Sequence, residues 1–137
     1  MPFNVCYYHF VWTTKNRSPL LLADVESLVY RSIDETSKSL QSPILALNGL
    51  EDHVHVVVRL ALKVAISDWV QRTKGTSART VNSTYPDLEQ RFRWQESYGV
   101  LTFGAKQLDF VVNYVQQQKD RQNRIEPYLE TTEENGP

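Results

Sequence analysis

A chain of 137 residues has the length of one ordinary domain, enough to bury about two-thirds of its unfolded surface around a single core. Its 41% hydrophobic and 23% charged residues exclude wholesale disorder, and no apolar run reaches the ~20 residues of a membrane span. One cysteine, Cys6, excludes an internal disulfide framework and a multi-cysteine zinc site. Met1–Phe10 lacks the basic start of a secretory signal, so a cytoplasmic protein is expected. The net charge of −1 is unevenly spread: Glu126–Pro137 carries four glutamates and no basic residue, which leaves the first 125 residues at +3. The expectation is one domain over residues 1–125 and a disordered acidic tail over residues 126–137.

Val5–Thr14, rich in Tyr, Phe, Trp, Val and Thr, predicts a strand, and Lys15–Pro19 a polar turn. From Leu21 to Leu40 apolar residues recur at helical spacing through Leu21, Val25, Leu28, Val29 and Ile33. After Pro43, Ile44–Leu50 reads as a second strand, Glu51-Asp52 as its turn, and His53–Leu60 as a third strand. Ser67 is placed to cap a second helix running to about Val81, with Ile66, Trp69, Val70 and Thr73 on its inner side. Tyr85-Pro86 marks a loop, Tyr98–Phe103 a short fourth strand closed by Gly104, and Lys106–Arg121 a final helix. The order predicts an α+β fold, a ferredoxin-like βαββαβ antiparallel sheet with an added C-terminal helix. That architecture hosts many unrelated functions, so function has to be argued from side chains.

Two of the three histidines stand in Asp52-His53-Val54-His55. Alternate residues of a strand share a face, so His53 and His55 point the same way, roughly 6–7 Å apart, and can converge on one cation. Val54, Val56, Val58 and Leu60 take the opposite face as core. The alternative is two polar residues on a solvated side. Tyr114 and Gln118 are one turn apart on the last helix and therefore neighbours. At 100° per residue, Tyr114 falls roughly 110° from the centre of the Leu108/Val111/Val112/Val115 stripe, at the edge of the buried face. A Gln118 carbonyl oxygen beside two imidazoles suits Mg²⁺ or Mn²⁺. A phenol is a weak nucleophile until its target is made more electrophilic, which a divalent ion on a phosphodiester would do.

The motifs continue around this core. Tyr8-His9-Phe10-Val11-Trp12-Thr13-Thr14-Lys15 with Arg17 and Pro19-Leu20 precedes Asp52-His53-Val54-His55. Lys74-Gly75-Thr76-Ser77, Trp94, Tyr98-Gly99-Val100 and Asn113-Tyr114-Val115-Gln116-Gln117-Gln118 follow. In this ordered combination the chain resembles the single-tyrosine HUH transposases of small bacterial insertion sequences and their relatives associated with repetitive extragenic palindromes. The resemblance spans about Tyr7 to Arg121. It implies paired metal ligands in His53 and His55, a third in Gln118, and a nucleophile in Tyr114. It also implies single-stranded DNA with a nearby hairpin as substrate, a 5′-phosphotyrosine intermediate, and a bacterial, nucleoid-associated setting. A homodimer is expected, with a monomer as the alternative. The chain departs from the family pattern at Glu51, where a proline commonly stands, and at Ser97, where a glycine does.

For phosphate contacts the expected residues are Lys15 and Arg17 in the first turn and Arg72, Lys74 and Arg79 on the second helix. Trp94 and Tyr98 are candidate stacking rings, and His9 is expected to pack or to support the metal strand without binding the ion. Competing readings are a replication-initiator-type HUH nuclease, a domesticated hairpin-binding relative, and a plain nucleic-acid-binding module. Against the last, no strand carries the Gly-aromatic signature of RNA-recognition sheets.

Overall fold

Alternation along the third strand decides the architecture, because both of its faces are buried by different partners. The computed structural model describes residues 5–120. It contains β1 (Cys6–Thr13), α1 (Ala23–Ser39), β2 (Ile44–Leu50), β3 (His53–Leu60), α2 (Ile66–Thr84), β4 (Gly99–Phe103) and α3 (Leu108–Gln116). The strands form one antiparallel sheet in the order β2-β3-β1-β4, the ferredoxin-like βαββαβ arrangement with α3 added. Among the described residues, no helix is long and apolar enough to cross a membrane. The acidic tail falls outside them.

One face carries Phe10, Trp12, Val54, Val56, Val58 and Leu60, covered by Leu28, Val29 and Ile33 of α1 and by Trp69, Val70 and Val81 of α2. Phe10 stacks on Trp69 at 4.5 Å between ring centroids, and Trp12 meets Trp69 edge-on at 6.0 Å. The other face is smaller: Ala46 and Val57 receive Val111, Tyr114 and Val115 of α3.

β2 and β3 keep the expected bounds, joined through Glu51-Asp52 with Leu50 paired to His53. Gly49 permits this tight hairpin, because a Cβ there would collide with the His53 carbonyl oxygen. α2 departs from expectation at its start. Ser67 caps nothing; the extended residue before the helix is Ala65, and Ile66 enters the helix to pack on the core. α3 is shorter than Lys106–Arg121, being flanked by single 3₁₀ turns at Ala105–Gln107 and Gln118–Asp120, and Arg121 lies outside the described residues. Two side chains hold its C-terminal end down. Asn48 Nδ2 donates to the Gln116 carbonyl at 3.0 Å, and Lys119 Nζ donates to the Gly49 carbonyl at 2.8 Å and to Glu26 at 2.9 Å.

Candidate active site

The register of β1 against β3 pairs His9 with Val57 and Val11 with His55, so His9, His53 and His55 all lie on the α3 side of the sheet. All three are buried, as are Tyr114 and Gln118. The solvated alternative for the histidine pair is therefore removed. Tyr114, expected at the edge of the helix's buried face, stands within it beside Val111 and Val115. The aliphatic stripe alone does not define the helix's buried face, because the sheet below offers imidazoles that accommodate a phenol and an amide.

The rings make one cluster. Centroids of His53 and His55 are 5.2 Å apart, His9 and His55 5.1 Å, and Tyr114 lies 5.9 Å from His55 and 6.0 Å from His9, edge to face. Gln118 Nε2 contacts the Tyr114 carbonyl at 3.4 Å, one turn back. Its Oε1 and the Nε2 of His53 are buried without a hydrogen-bond partner among the described residues. Leaving such acceptors unsatisfied costs on the order of 1–3 kcal/mol each, unless a ligand occupies them. Among the described residues no trio of His, Cys, Asp and Glu could hold a metal ion, so an amide oxygen would have to complete the set. Two imidazole nitrogens and one amide oxygen fit a divalent cation such as Mg²⁺ or Mn²⁺.

Supporting contacts fix the histidines. His53 Nδ1 lies 2.8 Å from Asp52 Oδ1, and Arg17 closes on Asp52 Oδ2 at 3.0 Å. Burial pushes the Asp52 carboxyl up, but the hydrogen bond to His53 and the charge of Arg17 outweigh it and hold the group below its usual range. Arg17 reaches Asp52 because Asn16 and Arg17 adopt left-handed backbone (φ 58° and 54°), a strain of about 1–2 kcal/mol per residue. His55 Nδ1 is 2.9 Å from His9 Nε2. Burial lowers His9 to about 4, so it is a neutral imidazole at physiological pH.

The expected phosphate-binding residues separate. Arg17 is taken by Asp52. Lys74 is half-buried, and its ammonium donates to the carbonyls of Gln95, Glu96 and Ser97, anchoring the loop ahead of β4. Burial lowers its pKa, with Glu96 opposing. Lys74 still lines, with Lys15 and Arg79, a groove of about 720 Å³ between α2 and residues 91–98, together with Arg91, Arg93, Trp94 and Tyr98. Arg72 does not line it. Arg91 and Arg93 belong to the basic stretch Lys63–Arg93 of the sequence, and both are exposed because they flank buried Phe92. Residues 93–95 run beside the end of β1, through Lys15 N–H to the Arg93 carbonyl and Gln95 N–H to the Thr13 carbonyl, each 2.9 Å. This places Lys15 beside the two arginines. The groove lies on the α2 side of the sheet, opposite the face that holds Tyr114.

Comparisons with known proteins bear on the family and the fold. The family model for IS200-like transposases matches residues 3–118. The ISDra2 transposase TnpA of Deinococcus radiodurans is 30% identical over 127 residues, covering 84% of this chain and 85% of that protein. The IS200 transposase of Salmonella typhimurium is 24% identical over 130 residues, covering 90% and 86%. A solved structure from Deinococcus radiodurans R1 superposes with a TM-score of 0.68 at 28% identity, over 83% of this chain and 91% of that one. A REP-associated tyrosine transposase bound to a REP hairpin shares the fold, with a TM-score of 0.66 at 16% identity over 86% and 68%.

Proposed function

Because the chain belongs to the IS200-like transposase family, we propose that it is a metal-dependent single-stranded DNA transposase that cuts and rejoins DNA beside a hairpin through a 5′-phosphotyrosine link. The observation that carries this reading is the burial of Tyr114 against His55, in one cluster with the unpartnered acceptors His53 Nε2 and Gln118 Oε1. His53, His55 and Gln118 would hold the ion, Mg²⁺ or Mn²⁺. Bound there, it supplies Lewis-acid polarisation of a phosphodiester and charge stabilisation on its oxygens.

The chain's own residues supply position. Tyr114 is carried on a helix whose far end is tied to β2 by Asn48 and Lys119, so its ring is held against His9 and His55. In attack the phenolic oxygen bonds to phosphorus as the P–O3′ bond breaks. The proton given up by the phenol is matched by the proton gained at the 3′ oxygen. One phosphodiester replaces another, so rejoining by the reverse step needs no nucleotide cofactor. Lys15, Arg79, Arg91 and Arg93 would contact hairpin phosphates, with Trp94 and Tyr98 available to unpaired bases. His53, His55, Gln118 and Tyr114 would act together within one chain, and the homodimer expected from the family resemblance would repeat this set in each subunit.

Covalent capture tests the reading. The protein is incubated with single-stranded hairpin DNAs bearing randomised flanks and Mn²⁺, then resolved on denaturing gels and by intact mass. The expected result is an adduct on Tyr114 that disappears with chelator and in Tyr114→Phe, while hairpin binding persists. Binding without any adduct would leave a hairpin-binding module, and an unchanged adduct in Tyr114→Phe would dismiss the assigned nucleophile.

A further inference from the structure

We propose that His9 is a positioning residue: its Nε2 accepts a hydrogen bond from Nδ1–H of His55 and thereby holds the His55 Nε2 lone pair ready for a cation. The inference rests on the metal-binding role proposed above for His55, and it concerns which nitrogen carries the proton.

A neutral imidazole has one N–H and one lone pair, and the partner of one nitrogen sets the state of the other. At His53 the partner is a carboxylate, Asp52 Oδ1 at 2.8 Å, which as an ionised group only accepts. The proton therefore sits on His53 Nδ1, which in the neutral ring puts the lone pair on Nε2. At His55 the partner is another imidazole, His9 Nε2 at 2.9 Å. An N–H between two ring nitrogens can run either way. If His9 donated, His55 would carry its proton on Nε2, and one of the two imidazoles would be lost as a ligand. If His9 accepts, both histidines of the β3 pair present Nε2 lone pairs, with ring centroids 5.2 Å apart.

The choice of imidazole at position 9 has a physical consequence. Its Nε2 can fix the neighbouring ring as a carboxylate would, without placing a second negative charge where a phosphodiester must approach. Its position is set by register: β1 is central in the sheet, and His9 pairs opposite Val57, the next residue along the α3 face from His55. The same ring braces Tyr114, edge on at 6.0 Å. His9 thus touches both a proposed ligand and the proposed nucleophile, and substitutions can separate these two contacts. His9→Phe keeps an aromatic brace and removes the acceptor. His9→Gln restores an acceptor near the Nε2 position and removes the ring.

The decisive measurement uses metal-free protein labelled with ¹⁵N in its histidines. Nitrogen–nitrogen coupling across the hydrogen bond, read with the ring ¹⁵N shifts, should identify His55 Nδ1 as the protonated atom. In His9→Phe the single His55 tautomer should be lost and Mn²⁺ affinity should fall roughly 10–100-fold, with the far-ultraviolet circular dichroism unchanged. His9→Gln should keep the tautomer and bind Mn²⁺ within a few-fold of the parent. A proton found on His9 Nε2 overturns the proposal, as does a His9→Phe protein with parental tautomer and affinity. If the parent fails to bind Mn²⁺ while His55 Nδ1 is protonated through His9, the metal reading falls and the positioning contact stands. If His9→Phe does not fold, the coupling in the parent decides alone.

Discussion

The two faces of the sheet bury different kinds of side chain. Under α1 and α2 the sheet is mostly apolar, with Phe10 stacked on Trp69 and Trp12 edge-on to it among valines and leucines. Under α3 it buries three imidazoles, a phenol and an amide around a small aliphatic patch. Buried polar groups with acceptors left over detract from stability, and aromatic packing adds to it. The comparison teaches that the fold tolerates a cluster of buried imidazoles on one side while aromatic and aliphatic packing dominates the other. Substitutions on the two faces should therefore fail in different assays.

The largest loss is expected from Trp69→Ala. It removes the ring stacked on Phe10 and the Nε1 bond to Ser37 Oγ at 2.9 Å, for about 3–5 kcal/mol of unfolding free energy by denaturant titration. A loss under about 1 kcal/mol would mean the two faces do not divide stability as described. On the other face, His53→Ala should change stability by no more than about 1 kcal/mol, yet lower adduct formation by roughly 100-fold or more. Equal damage in both assays would erase the contrast. Lys119→Met should cost about 1 kcal/mol and show itself locally, as faster amide exchange in α3 than in α1 or α2.

Arg91→Ala and Arg93→Ala should each weaken hairpin binding and reduce the slope of log affinity against log salt by about 1, with metal-dependent cleavage of bound DNA retained. An unchanged slope would remove the groove from the interface. The smallest effect concerns Asp52, whose folded carboxyl lies below its unfolded value. Its contribution is present above the unfolded carboxylate pKa, about 4, and is lost as pH falls through the folded one. Asp52→Asn should therefore be less stable than the parent at neutral pH and converge with it in acid. Curves that stay parallel would refute the assigned cause.

How much of this was legible in the sequence depended on how local the signal was. Ile44–Leu50 and His53–Leu60 were readable to the residue, because Pro43 and Glu51-Asp52 bound them and alternation runs between. The start of α2 was misread because a capping serine at position 67 competes with Ile66, and tertiary packing of Ile66 prevails. The members of the His53, His55, Tyr114 and Gln118 cluster could be named from spacing and family resemblance. Their depth could not, since periodicity counts apolar residues and the interior here is polar. The His9–His55 contact and the Lys15–Arg93 neighbourhood required strand register, which joins residues 46 and 78 positions apart and leaves no trace in a sequence window.

The placement of α3 after all four strands has a temporal consequence. As the chain is synthesised, the sheet, α2 and the 91–98 segment are all available before residue 114 exists. On the proposed reading the groove is thus encoded ahead of the cutting group. A translation product ending before α3 could hold DNA and could not break it, so incomplete synthesis yields at most an inert competitor. If the proposed reaction is the one this chain performs, chain order itself is a safeguard.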